Sequence, residues 1–175
     1  MDHVDLDTLQ LAVDGIRQSP NDGGRVELIA RRPRPRQREV LREGRLDPVV
    51  GLLGDRWSTE SRDPATQLTL MNARSAAAIA GPVERWALAG DQLYVDLDLS
   101  GANLPPGTRL AVGTALIEIS DIPHRGCGKF IARFGLDASK FVNSPVGREL
   151  NLRGVNAKVL QGGVVRPGDG IGKAA

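Results

Sequence analysis

Residues 93–120 read Leu93-Tyr94-Val95-Asp96-Leu97-Asp98-Leu99-Ser100-Gly101-Ala102-Asn103-Leu104-Pro105-Pro106-Gly107-Thr108-Arg109-Leu110-Ala111-Val112-Gly113-Thr114-Ala115-Leu116-Ile117-Glu118-Ile119-Ser120. Leu93 to Leu99 alternates apolar and polar residues in part. Arg109 to Gly113 and Leu116 to Ser120 are short aliphatic runs, and Pro105-Pro106-Gly107 marks a tight turn before them. Three short strands joined by turns make a β meander. Upstream, Gln67 to Leu70 has strand character. Asn72 then opens the alanine-rich run Ala73 to Ala80, which stops at Gly81-Pro82 as a helix does. Val26 to Ala30 is a further strand. Leu6, Leu9, Val13 and Ile16 fall at helical spacing behind Asp5, a candidate N-cap, before the turn-rich Ser19 to Gly24. Downstream, Phe130 to Phe141 is helical in pieces broken at Gly135, and Leu152 to Leu160 and Gly163 to Val165 return to strand. Gly168 onward reads as a loose tail. Short strands with two or three helices, and no regular βα alternation, predict an α+β or barrel-like sheet and exclude a doubly wound one. The expected organisation is an N-terminal helical segment over 1–21, a β-rich domain over 22–170 and a flexible tail over 171–175.

The chain has 175 residues, 41% hydrophobic and 25% charged, enough for one domain with its own core. Aromatic residues are 3%, so Leu, Val, Ile and Ala must supply that core and no platform for stacking bases exists. The net charge of +2 comes from 23 basic and 21 acidic residues, which gives no polycationic signature for nucleic acid. With one cysteine, Cys127, and two histidines, His3 and His124, neither a disulfide nor a zinc cage of the usual ligands can be assembled. No segment reaches the ~20 apolar residues of a membrane span, and Asp2, Asp5 and Asp7 stand where a signal peptide would be basic. A cytoplasmic protein without membrane or nucleic-acid partners is expected.

Chemistry concentrates in Pro123-His124-Arg125-Gly126-Cys127-Gly128-Lys129-Phe130, directly after a predicted strand. Glycines on both sides leave the Cys127 backbone and sulfur approachable, and Arg125, Lys129 and a protonated His124 would favour thiolate. The bland alternative is a buried cysteine acting as a small hydrophobe in a turn. A reactive thiolate has three chemistries open to it: ligation of a soft metal, attack as a Cys/His hydrolase nucleophile, and carriage of sulfur as a persulfide. The shortage of other metal ligands favours a metal brought in by an organic cofactor. Beyond it, Asn143, Arg148, Arg153 and Asn156 recur beside glycines, as anchoring an anionic, phosphate-bearing pterin or pyridoxal phosphate would require. Turns between strands explain the same residues.

Two other features read as structural. Seven arginines lie between Arg31 and Arg45, but Glu39 and Glu43 interrupt them and no aromatic is interleaved, so a solvated loop or charge-protected edge strand is expected. Asp91, Asp96 and Asp98 look like a carboxylate set but are expected on a solvated face.

Several of these stretches together resemble the MOSC domain, the C-terminal module of molybdenum cofactor sulfurases and of small stand-alone bacterial proteins. They are Gly90-Asp91-Gln92-Leu93, Asp98-Leu99-Ser100 leading to Leu104-Pro105-Pro106-Gly107-Thr108-Arg109-Leu110, the loop His124 to Lys129, and Arg153-Gly154-Val155-Asn156-Ala157-Lys158-Val159-Leu160 to Gly168-Asp169. The resemblance covers about Val26 to Asp169 and implies a β-barrel-centred α+β fold with a few short helices. It implies that Cys127 ligates molybdenum or carries sulfur, and that His124, Arg125, Lys129, Asn143, Arg148, Arg153 and Asn156 are candidates for holding the molybdenum cofactor. The activity it implies is a molybdenum-dependent oxidoreductase, reducing small N-hydroxylated compounds with a redox partner. The alternative is a sulfur or cofactor carrier that serves donor and acceptor proteins in metal-sulfur cluster assembly. Pyridoxal phosphate, with Lys129 as its Schiff-base lysine, ranks below both. Family members commonly carry Gly-Glu-Asn-Leu where this chain has Gly90-Asp91-Gln92-Leu93.

Overall fold

The computed structural model describes residues 3–61 and 63–175. In chain order its elements are α1 (Leu6–Leu11), α2 (Val13–Arg17), β1 (Gly24–Arg31), β2 (Glu39–Leu41), β3 (Gly44–Asp47), β4 (Gly51–Leu52), α3 (Trp57–Glu60), β5 (Leu68–Asn72), α4 (Ala73–Ala80), β6 (Leu93–Asp96), β7 (Arg109–Val112), β8 (Ala115–Ile119), α5 (Gly128–Asn143), α6 (Pro145–Glu149), β9 (Val155–Gln161), β10 (Gly163–Val165) and β11 (Gly170–Lys173). A 3₁₀ stretch, Val83–Ala89, precedes β6.

Seven strands close on themselves in the order β1-β11-β7-β8-β9-β5-β6 and back to β1, which leaves no exposed barrel edge. The neighbours are antiparallel except β5 with β6. The stretch 93–120 supplies β6, β7 and β8, but only β7 and β8 are neighbours. β6 lies between β1 and β5 and runs parallel to β5, which corrects the expected three-strand meander, and β2 extends the sheet from β1. β10, β3 and β4 form a small separate sheet.

The alternation of strand side chains divides the apolar residues into two cores. Ile29, Leu70, Leu93, Leu110, Ile117, Ala157 and Ile171 are among those that fill the barrel. A bulge at Val26/Leu28 in β1 resets the alternation, so Val26 and Ile29 join that interior while Leu28 and Ala30 face outward with Met71 and Tyr94. The outer set packs under Phe130, Phe134 and Phe141 of α5, Ile79 of α4, and Leu9 and Ile16 of the N-terminal helices. Each fully buried phenylalanine contributes on the order of 2–3 kcal/mol of apolar burial, which fixes α5 across the barrel wall.

Local signals explain the helices. The Asp5 carboxylate accepts from the Thr8 amide at 2.8 Å and caps α1, while Asn72 caps α4 by accepting from Arg74 and Ser75. α5 is broken at Gly135, whose φ of 88° only glycine adopts readily. Of the expected 1–21 segment, residues 1 and 2 lie outside the described residues. The rest forms two short helices that pack into the outer core and do not stand apart from the domain.

The expected flexible tail over 171–175 is corrected by β11. Gly24 pairs with Ile171 and Ile171 with Val112, so the segment joins β1 to β7 and closes the barrel, with Ile171 buried inside it. The arginine-rich stretch does include an edge strand, β2, as expected.

Candidate functional site: a cationic cleft at Cys127

The loop from β8 to α5 carries Cys127 and is tied down on both sides. The Ser120 hydroxyl donates to the Ala65 carbonyl, and Asn156 Nδ2 donates to the Ile122 carbonyl at 2.9 Å. Asn143 Oδ1 accepts from the Gly126 amide at 3.2 Å, and its Nδ2 donates back to the Gly126 carbonyl. The two glycines beside the cysteine serve different ends. A Cβ on Gly126 would come within 2.9 Å of Asn143 Nδ2 and Val142, whereas a Cβ on Gly128 would meet nothing within 4 Å. Gly126 permits the loop to seat, and Gly128 keeps the approach to the sulfur open.

Cys127 occupies the N-cap position of α5 and is exposed, which removes the bland reading of a buried small hydrophobe. Partial burial pushes its thiol up. The amides of Phe130 and Lys129 and the charges of Arg153 and Lys129 outweigh that and bring it below the ordinary thiol value.

Behind the thiol lies a buried Asp91–Arg153 ion pair joined by the half-buried His124. Asp91, with a side chain 0% exposed, accepts from Arg153 Nη1 at 2.6 Å and contacts His124 Nε2 at 3.1 Å. Burial alone would raise the Asp91 carboxyl, but Arg153 and His124 hold it well below the usual carboxylate range. A permanent carboxylate at Nε2 fixes the neutral imidazole with its proton on Nε2, leaving Nδ1 as an acceptor. Burial and Arg153 press His124 below its ordinary value against the pull of Asp91, which favours the neutral imidazole. Arg153 Nη2 donates to the Ala89 carbonyl, and its guanidinium lies 5.0 Å from the centre of the Phe130 ring. Its Nε is buried and has no hydrogen-bond partner among the described residues. The expectation of a solvated Asp91 is likewise corrected, and its burial follows from a partner 62 positions away.

His124, Cys127, Lys129 and Arg153 open onto a cleft of about 710 Å³, together with Arg32, Arg36, Arg38, Arg56 and Arg133. Among the described residues no carboxylate lines it. Arg125, Arg148 and Asn156 instead border a smaller cavity of about 220 Å³ that shares His124. Asn143 borders neither and acts on the cysteine loop through Gly126. The structure therefore brings together four of the eight residues singled out in the sequence. It adds three arginines from the stretch expected to be solvated, of which Arg32 and Arg38 are half-buried. Glu39 and Glu43, which interrupt that stretch, bind Arg31 and Arg166, so that Arg36 and Arg38 have no carboxylate partner among the described residues. Among the described residues no group of three His, Cys, Asp or Glu side chains is placed to hold a metal. A metal at Cys127 would need its remaining ligands from elsewhere.

No protein-family model matches the chain, and no curated protein matches it by sequence. Its fold is similar to several solved structures. The YiiM protein of Escherichia coli aligns with a TM-score of 0.58 at 19% identity, covering 86% of this chain and 70% of that one. The YuaD protein of Bacillus subtilis aligns at 0.59 and 19% identity, over 85% and 93% of the two chains. YiiM of Geobacillus stearothermophilus gives 0.61 and 16% identity, over 87% and 75%. At such identities the likeness establishes the fold. No helix among the described residues is long and apolar enough to cross a membrane.

Proposed function

We infer that this chain is a MOSC-type domain in which the Cys127 thiolate ligates molybdenum held by a pterin cofactor, and that it reduces small N-hydroxylated compounds with electrons from a redox partner. YiiM and YuaD, whose fold it shares, are MOSC-domain proteins. The observation that carries the reading is an exposed thiol, held below the ordinary thiol value, on a cleft lined by cations and, among the described residues, by no carboxylate. The donor set fits the group. One soft thiolate leaves the metal's other positions to the cofactor, the lining cations suit its phosphate, and the unpartnered Nε of buried Arg153 can donate to one further acceptor.

When bound, the cofactor supplies a two-electron redox centre at which an N–O bond is reduced. The chain's own residues do the rest. Cys127 supplies the thiolate, and Lys129 and Arg153 hold anionic or carbonyl groups beside it. Reduction of a hydroxylamine to an amine and water consumes two electrons and two protons. His124, which borders the cleft and whose tautomer is fixed by Asp91, offers Nδ1 as a site where a proton can be held. The cleft walls orient the substrate.

A second reading has its own support. The exposed Cys127 sulfur is accessible to another protein, as a persulfide carrier requires. Pyridoxal phosphate finds less, because Lys129 is exposed at the cleft rim and lacks the desolvated pocket that activates a Schiff-base lysine. Turnover of an N-hydroxylated compound with an artificial electron donor, by protein from a cofactor-producing host, tests the reductase. Activity in the native chain and none in Cys127→Ala supports it. A cyanide-releasable sulfur on metal-free protein favours the carrier.

A further inference from the structure

The cations of the cleft are unequally neutralised. Arg32 is paired with Asp55, Arg56 with Glu60 and Arg153 with Asp91. Arg36, Arg38, Lys129 and Arg133 line the same cleft and have no carboxylate partner among the described residues. Two of these four converge. A Cβ built on Gly90 would lie 3.5 Å from Arg38 Nη2 and 3.6 Å from Arg133 Nη1, so both guanidinium groups border one point at Gly90. Arg38 Nη1 donates to the Gln37 carbonyl and Arg133 Nη1 to the Leu88 carbonyl. Arg38 Nε is buried with no partner among the described residues. Burial, then Arg133, Arg32 and Arg56, all disfavour the charged form of Arg38. Like charges held this close without a counter-ion are unfavourable, and an anion between them reverses the sign.

The number of uncompensated cations bears on the size of that anion. A phosphate monoester carries about −1.5 to −2, which offsets roughly two of the four. A diphosphate doubles the phosphate groups available to the planar forks of the arginines. The cations that lower the Cys127 thiol, Arg153 and Lys129, are not the two whose guanidinium groups meet at Gly90.

We propose that Arg38 and Arg133, which meet at Gly90, together with Arg36 on the same cleft, form a seat for a diphosphate, so that the cleft takes a nucleotide-like ligand and not a monophosphate alone. The diphosphate belongs either to the cofactor itself or to a phosphorylated substrate. The seat stands whether or not Cys127 binds a metal.

The test is calorimetric titration of the full chain, made without the pterin cofactor, with inorganic phosphate, pyrophosphate, adenosine and adenosine diphosphate at fixed ionic strength. Pyrophosphate and adenosine diphosphate should bind at least about tenfold more tightly than phosphate, and adenosine should not bind. Arg38→Gln with Arg133→Gln should weaken both by about tenfold or more. Arg133→Gln alone should weaken them less, and serves if the double variant does not fold. Arg148→Gln, on the other cavity, and Cys127→Ala should leave them unchanged. Repeating the titration on protein loaded with the pterin cofactor separates the sources. Loss of pyrophosphate binding assigns the seat to the cofactor's own diphosphate, and retention assigns it to a second ligand. Phosphate binding as tightly as pyrophosphate, no binding of either diphosphate, or unchanged affinity in the arginine variants would overturn the proposal. Because Cys127→Ala removes the proposed metal ligand and leaves this seat intact, failure here is distinguishable from failure of the molybdenum reading.

Discussion

Asp91→Asn isolates the buried ion pair at the back of the cleft. The substitution preserves shape and removes one charge. Asp91 is fully buried and Arg153 is 6% exposed, with Nη1 2.6 Å from the carboxylate. His124 can adapt by moving its proton to Nδ1 and accepting from the new amide at Nε2. Arg153 cannot adapt in the same way: the amide oxygen can still accept from Nη1, but the guanidinium does not deprotonate and stays buried without its counter-ion. Removing one partner of a buried pair costs about 3–5 kcal/mol, and in a domain of this size each kcal/mol moves Tm by roughly 2–4 °C. A fall of about 6–20 °C is expected in thermal unfolding near neutral pH. Arg153→Met on top of Asp91→Asn removes the stranded charge and should recover part of the loss, giving a coupling on the order of 1–3 kcal/mol in the double-mutant cycle. A Tm change under about 2 °C in Asp91→Asn, or strictly additive single changes, would refute the argument that the pair is buried and interdependent.

Three further outcomes follow from the same geometry. Cys127 should alkylate rapidly in the native protein near neutral pH, with a rate midpoint below the ordinary thiol value. Alkylation only after unfolding would contradict an exposed, amide-stabilised sulfur. His124 is held below its unfolded value of about 6.5, so the unfolded state gains a proton first and stability should fall as pH drops from 7.5 to 5.5. That loss is at most about 1.4 kcal/mol per pH unit, and denaturant titrations should show it diminished in His124→Gln. Deleting residues 170–175 removes β11 and opens the barrel between β1 and β7. Loss of cooperative unfolding is expected, and an unchanged Tm would show that the strand closes nothing.

What the sequence revealed tracks how local each signal is. Helix α4 is legible from Asn72 to Gly81 because its cap, its alanines and its stop are consecutive residues. β1, β7 and β8 are legible from aliphatic runs bounded by turns. β11 is not, because Gly170-Ile171-Gly172-Lys173 offers one apolar side chain and becomes a strand only by pairing with two distant strands. The site divides the same way. Cys127 and its glycines are adjacent in sequence, so the thiol could be picked out. The burial of Asp91 depends on Arg153, far along the chain, and the arginine wall depends on where Glu39 and Glu43 turn. The Glu residues balance the arginines in sequence, but in space they serve Arg31 and Arg166.

The central claim is that Cys127 anchors a metal in this cleft, and elemental analysis for molybdenum with pterin fluorescence, on native protein and Cys127→Ala from a cofactor-producing host, tests it most directly. The account predicts near-stoichiometric molybdenum and pterin in the native chain and loss of the metal in the variant; equal metal content in both, or none in either, would contradict it.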